Sequence, residues 1–504
     1  MTSFASPAVD RTPAAGRFPA PSRSWILASV ALLGAAAYAF AIVDSRGDTL
    51  LLLPLAGAIV VLGICAHPVI GLFVLFGAAI LLEQFSPVSI VPITQTKFFV
   101  NINAYTPLPI RLSVADLVML LTIAALLVGR RGLSGERLRM GAFGWAVLGY
   151  VGVFMLGTVI GVARGGSWNV DVALAEVRAP VQLGVAYFLA ANLVRDRAQL
   201  FGFIGLFVLM ASVKAVQTVL SYQEASTLSY SLRTIISHED VVFIGAALAL
   251  ALAAVVLGHR SRLVNLLLAL LPLFLIAEFV AYRRVGLIAL SVTILAIVIL
   301  ALFTHPRRAA AFMALSTLGL AVYLVTFWDA TGPAAEPLRA MRSVFDASAT
   351  SLVDQYSSAW RDVEHQNIGY TISELPLTGV GVGQRYLFER EATDIPFNYW
   401  RFITHDALLW LWLKAGPLGA FALWFLVARA VLVGASLFRR IREPSLRWAV
   451  ALPIALVVSQ VVFSSVDLGL TYSRTMIVLG TSLGLAAFVA EEHTRSSQTT
   501  GSSQ

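Results

Sequence analysis

Between residues 25 and 490 the chain is a succession of apolar runs, about fourteen of them, each roughly 17–25 residues long. A helix of that length crosses the hydrocarbon core of a bilayer with every backbone hydrogen bond satisfied internally. At 58% hydrophobic and 13% charged residues, a chain of 504 residues has too little polar surface to cover its apolar mass in water. The expected fold is an all-α polytopic membrane protein with about 14 transmembrane helices and one long extracytoplasmic loop. The runs fall near 25–43, 49–66, 68–83, 114–129, 141–163, 178–194, 199–221, 241–258, 262–280, 285–303, 309–327, 404–434, 447–465 and 471–490. The third is short enough for a re-entrant or tilted segment. Residues 1–24 read as a disordered cytoplasmic tail, 25–327 as spans 1–11, 328–403 as the long loop, 404–490 as spans 12–14 and 491–504 as a second cytoplasmic tail.

Arginine sets the orientation. With a cytoplasmic N-terminus, the inner loops carry Arg130, Arg131, Arg137 and Arg139; Arg195 and Arg197; Arg260 and Arg262; Arg307 and Arg308; and Arg439, Arg440, Arg442 and Arg447. Every inner loop but the one at His67 is then short and basic, and both termini are cytoplasmic. The outer face receives 84–113, Gly165–Glu176, the loop with Arg233 and His238, the Arg283-Arg284 turn, the long loop and the Asp467–Arg474 turn. The 84–113 segment, rich in proline and β-branched residues, reads as an interfacial hairpin. A net charge of +8 would suggest nucleic acid in a soluble protein; here the basic residues set topology, and no nucleic-acid partner is expected. The lone Cys65 lies in an apolar run, so there is neither a disulfide framework nor a thiol cluster for a metal.

Chemistry concentrates on the outer face. Arg283-Arg284 interrupts what is otherwise one apolar run from Leu263 to Phe303, and an arginine pair near the interface needs water or an anionic partner. Arg233 precedes a span and Arg361 sits in the long loop; guanidinium groups grip phosphate oxygens bidentately, so several converging under one loop would hold a diphosphate. The alternatives are that Arg283-Arg284 only snorkels to headgroups and that Arg233 pairs with Glu239 or Asp240. Thr404 is the expected N-cap of the next span, with Asp406 in its first turn. His405 then stands at a helix mouth whose free N–H groups favour an anion, where an imidazole can take a proton from a hydroxyl; the competing reading is a capping histidine. Pro376 with Gly379, Gly381 and Gly383 lacks the strand–turn–helix unit of a dinucleotide site, and the glycines are expected to allow a tight turn with φ > 0 close to the bilayer or a sugar. Ser357 to Glu364 reads as an amphipathic loop helix with Trp360 at the interface, and Asp362, Glu364 and His365 lack a further metal ligand.

These stretches together resemble the O-antigen ligase and polymerase family of bacterial membrane glycosyltransferases. Arg283-Arg284-Val-Gly-Leu-Ile-Ala-Leu is similar to the family's Ser-Arg-Gly-aliphatic motif, with Arg284 at the arginine position. Trp360-Arg361 to Pro376-Leu-Thr-Gly-Val-Gly-Val-Gly383 resembles its arginine followed by Pro-x-x-Gly-x-Gly-x-Gly. His405-Asp-Ala-Leu-Leu to Gly416-Pro-Leu-Gly419 is similar to its His-Asn-x-x-Leu to Glu-x-Gly-x-x-Gly. The likeness covers roughly residues 230–425, and the order of the motifs on one face makes the set more specific than any one of them.

The resemblance implies a transferase that moves or polymerises a glycan linked to undecaprenyl diphosphate at the outer face of the bacterial inner membrane, among membrane lipids. It implies a glycan or lipid acceptor and neither metal nor nucleotide cofactor. His405 would activate the acceptor hydroxyl with Arg284 as the catalytic arginine; Arg233, Arg283 and Arg361 would bind the diphosphate, and Gly379, Gly381 and Gly383 would line the substrate. Polymerase is favoured over ligase. Asp406 stands where the family has Asn, Arg283 where it has Ser, and Lys414 where Glu is common. Lys414 reverses a charge about two helical turns below His405, and Asp467 or a phosphate is its expected partner. The rival class is a transporter or flippase, with Lys214 and Lys414 inside spans marking a substrate path. Against it, the polar residues cluster at one face, and the two halves show no matching broken helices.

Overall fold

The computed structural model describes residues 52–84, 96–132, 138–227, 235–281, 283–330, 352–395 and 397–501, with isolated positions elsewhere. The expected N-terminal tail, most of the first expected span, residues 87–93 and Arg233 fall outside the described residues. The chain divides into two compact units, Met1–Leu62 and Gly63–Gln504. Most of α1 (Leu52–Ala66), an apolar helix without charge, belongs to the first unit; all that follows concerns the second.

Among the described residues the secondary structure is helical, and β pairing is confined to one bridge between Asn101 and Ser113. After α2 (Val69–Leu81) come α3 (Val114–Gly132), α4 (Gly144–Arg164), α5 (Val170–Leu193), α6 (Arg197–Thr227) and α7 (His238–Leu257). Then follow α8 (Arg262–Ala269), α9 (Leu271–Val280), α10 (Arg284–Leu302), α11 (Pro306–Phe327), α12 (Leu352–Glu374), α13 (Ala407–Arg440), α14 (Pro444–Ser464) and α15 (Ser473–Gly501). Nine of the described helices, α4–α7, α10, α11 and α13–α15, are long and apolar enough to cross a membrane, and α8 with α9 makes a tenth if taken as one span bent by 43°. The chain is built as a multi-pass, all-α membrane protein.

Several elements differ from the expected spans for physical reasons. The 13 residues of α2 reach about 20 Å, short of the hydrocarbon core. The run 404–434 is not one straight helix, because Gly416 adopts φ 65° and ψ −157° ahead of Pro417 and breaks α13 near its N-terminal end. The α5 helix starts at Val170 rather than 178, since Asn169 Oδ1 accepts from the N–H groups of Asp171 and Val172 at 2.9 and 3.2 Å. That early start carries Glu176 and Arg178 into the helix. At the other end, α15 continues past 491 as helix where a tail was expected.

Burial sorts the helices into layers. In α7, 94% of the most apolar window is buried, which makes it the central helix; in α11 none is, which leaves that helix to face lipid. The α5 and α15 helices approach so closely that a Cβ at Gly480 or Gly484 would collide with the Leu183 carbonyl or with Ala190, the small-residue packing on which membrane helices rely. The turns assigned to the outer face gather at one end of the bundle. Ser473 N–H donates to Gln84 at 3.1 Å, Asn169 N–H to the Gly383 carbonyl at 2.9 Å, Arg283 to the Ile236 carbonyl at 3.1 Å, and His238 meets Asp467. A different group of turns meets through Arg139–Glu491 at 3.4 Å and Arg197 with Glu443 and Glu492 at 3.0 and 3.2 Å.

Candidate functional site

The long loop holds one 23-residue amphipathic helix, α12, whose buried stripe of Glu364, Asn367, Ile368 and Thr371 follows helical spacing. Asn367 fixes the return of the chain, its Oδ1 accepting from the N–H groups of Glu389 and Arg390 at 2.9 Å each. The return segment brings His405 onto α12. His405 Nδ1 lies 3.1 Å from Glu364 Oε1, and the same oxygen accepts the His405 backbone N–H at 3.0 Å. The rings of Trp360 and Phe397 stand edge-on to the imidazole at 5.1 and 6.2 Å. A tautomer that donates Nδ1–H to this buried carboxylate presents its lone pair at Nε2, the arrangement a general base needs. The helix after His405 is capped by Asp406, not by Thr404: Asp406 Oδ1 accepts from the N–H groups of Leu408 and Leu409 at 3.1 and 3.0 Å. Its other oxygen lies 3.3 Å from His365 Nε2, and that hydrogen bond raises the His365 pKa.

A second imidazole–carboxylate pair lies close by. His238 Nδ1 meets Asp467 Oδ2 at 2.5 Å, while Asp467 Oδ1 accepts from Tyr472 OH at 3.0 Å and from the Leu468 N–H at 2.7 Å. Burial pushes the Asp467 carboxyl up, but the hydrogen bond and charge of His238, with a smaller pull from His405, hold it below the ordinary carboxylate range. Arg283 faces the same group. Burial lowers its pKa against the opposing pull of Asp467, and its buried Nε has no hydrogen-bond partner among the described residues. Of the arginine pair, Arg283 is therefore the one brought to this constellation, while Arg284 opens α10 and is half-buried. Glu239 and Asp240 are engaged elsewhere. Arg474 meets them at 3.5 and 2.5 Å, and Lys214 bridges Asp240 at 3.2 Å and Glu83 at 2.9 Å.

The glycine turn sits against the helices. Gly379, Gly381 and Gly383 have φ of 63°, 95° and 81°, the left-handed region where a side chain is strained. Val380 and Gly381 donate to the carbonyls of Leu413 and Lys414 at 2.7 and 3.1 Å, and Val382 donates to the Gly157 carbonyl at 2.8 Å, so the turn is wedged between α4 and the N-terminal part of α13. A Cβ at Gly381 would run into the Gly161 backbone. Lys414 is not paired with Asp467, as the sequence suggested. Its Nζ lies 2.9 Å from Glu176 Oε1 on α5 and donates to the Gln384 carbonyl at 2.6 Å. Glu176 also accepts from the Gly383 N–H at 2.5 Å and from Trp410 Nε1 at 3.1 Å. The reversed charge at 414 is thus answered by an acid, and the pair pins the turn to α5 and α13.

Arg361 lies half-buried on α12, next to Trp360, and makes no ion pair among the described residues. Among the described residues no three His, Cys, Asp or Glu side chains converge to hold a metal. The sequence reading passed over three residues: Glu364 as the partner of His405, Asp467 as the partner of His238, and Glu176. No protein-family model and no curated protein matches the chain.

Proposed function

We propose that the protein is a metal-independent glycosyltransferase that takes a glycan from undecaprenyl diphosphate on the outer face of a bacterial inner membrane, with both termini in the cytoplasm and about fourteen spans. The acceptor hydroxyl gives its proton to His405 Nε2 as its oxygen attacks the anomeric carbon. The bond to the diphosphate breaks, and the leaving group departs with the electron pair onto guanidinium groups. Arg283 and Arg284 supply those groups, joined by Arg233 and Arg361, while Gly379, Gly381 and Gly383 form the turn that holds the site together. Polymerisation of repeat units is favoured over ligation to a final acceptor.

The observation that carries this reading is the Glu364–His405 dyad with its free Nε2, gathered at one end of the bundle with Arg283. A transporter reading leans on Lys214 and Lys414, yet both lysines are locked in ion pairs with buried acids, which suits scaffolding better than a substrate path. The test is transfer by purified protein in proteoliposomes given only external donor. His405→Ala and Arg284→Ala are expected to abolish transfer with the fold intact, and unchanged transfer would refute the site. In cells lacking the protein, single repeat units left on the lipid would mean a polymerase, and long chains left there a ligase.

A further inference from the structure

An open polar cleft of about 280 Å³ is walled by Asn101, Asn103, Arg111, Asp171, Arg178 and Tyr399. It is about twenty times the volume that admits one water. Three observations bear on what it holds. Arg111 pairs with Asp171 at 3.1 Å and Arg178 with Asp116 at 3.3 Å, so each guanidinium charge is met by a carboxylate. A phosphate would find no uncompensated cation there, whereas a polyhydroxyl compound would find donors and acceptors side by side. Asn101 and Asn103 add to the wall side-chain amides that carry both donors and an acceptor. The Tyr399 ring adds an apolar face of the kind on which a sugar ring stacks.

Position ties the cleft to the chemistry. Tyr399 meets Phe397 with centroids 6.1 Å apart, and Phe397 meets His405 at 6.2 Å. Two ring contacts thus separate the cleft's Tyr399 wall, in the segment before α13, from the imidazole, and α5 and the 101–111 turn supply the rest of the lining. Arg283 comes from other elements, the α9–α10 turn and the group around Asp467. A base that serves an acceptor on one side and a leaving group on the other needs two such approaches.

We propose that this cleft binds a neutral saccharide unit of the acceptor glycan. The inference rests on the transferase reading, and a binding assay without turnover separates the two. Full-length protein in nanodiscs is titrated with lipid-free oligosaccharide released by mild acid from the host's own surface polysaccharide. Asn101→Ala and Tyr399→Ala are each expected to weaken binding about tenfold, roughly the loss of one hydrogen bond or one stacking face. Tyr399 is at the rim, so its variant keeps the test available if Asn101→Ala does not fold. Equal affinity for the wild type and the Tyr399→Ala variant, or no oligosaccharide binding at all, would overturn the assignment. So would preferential binding of glycerol phosphate that Arg111→Gln weakens, which would make the cleft a lipid-headgroup site. Any of these results paired with His405-dependent transfer would sink the cleft alone; no transfer by the wild-type protein given external donor would sink the transferase reading.

Discussion

Removing either member of the Glu176–Lys414 pair leaves the other charged and buried at 1% exposure or less. Breaking such a pair from one side costs about 3–5 kcal/mol, while replacing both members by neutral groups of similar volume costs far less. Lys414→Met would leave Glu176 with the donors of Gly383 and Trp410 but no counter-charge; Glu176→Gln would leave Lys414 with only the Gln384 carbonyl. Each single variant is expected to lose about 3–5 kcal/mol of unfolding free energy, and the double variant about 1–3 kcal/mol. The resulting coupling is about 3 kcal/mol or more, far beyond the roughly 0.5 kcal/mol within which independent sites add. Lys414→Glu, which restores the residue common in the motif the chain resembles, would set two carboxylates together and is expected to be the most damaging of the set. The assay is reversible unfolding in mixed micelles by titration with dodecyl sulfate, followed by tryptophan fluorescence. Additive losses within about 0.5 kcal/mol would refute the view that this pair holds the glycine turn against α5 and α13.

Glu364→Gln keeps an acceptor for the His405 N–H groups but not the charge behind the imidazole, so transfer is expected to slow about 10–100-fold with donor KM unchanged and partial rescue by Glu364→Asp, measured as initial rates in proteoliposomes. The hydrogen bond to Asp406 raises the His365 pKa in the folded state, so its contribution is full below the ordinary histidine value of about 6.5 and is lost as pH climbs through the raised one. Amide exchange in α12, corrected for intrinsic rate, is expected to accelerate as pH rises above the ordinary histidine value of about 6.5, and His365→Gln to remove that dependence. Gly381→Ala adds a Cβ at φ 95° against the Gly161 backbone and is expected to cost more than about 2 kcal/mol or to prevent folding. Gly165→Ala, at φ 63° with nothing within 4 Å of the new Cβ, should cost about 1 kcal/mol. Thermal unfolding of the two purified variants separates these outcomes.

Hydrophobic run length located most of the described helices, because a bilayer punishes a misplaced backbone too heavily for local sequence to be ambiguous. Local sequence did not disclose which chain segments meet. His405 was legible as a histidine at a helix mouth, but its partner Glu364 sits on a helix whose burial pattern says only that one face is covered. The cap fell two residues beyond the expected Thr404, since Thr404 and Asp406 are both good capping residues, and Asp406 also meets His365. Glycine and proline at 416 and 417 spelled a break, but the long apolar run around them read as a single span. A signal for the long-range pairs was nonetheless present. An acid inside an apolar helix is costly in a membrane and demands a cation. Glu83, Glu176, Glu239 and Asp240 stand in or beside spans, and so do Lys214, Lys414 and Arg474. In the structure Glu83 and Asp240 share Lys214, Glu239 and Asp240 share Arg474, and Glu176 takes Lys414, while Glu278, buried in α9, makes no ion pair among the described residues. That Lys414 stands where the resembled motif has an acid is then intelligible: the charge is reversed at one position, and Glu176 on another helix keeps the buried sum neutral there.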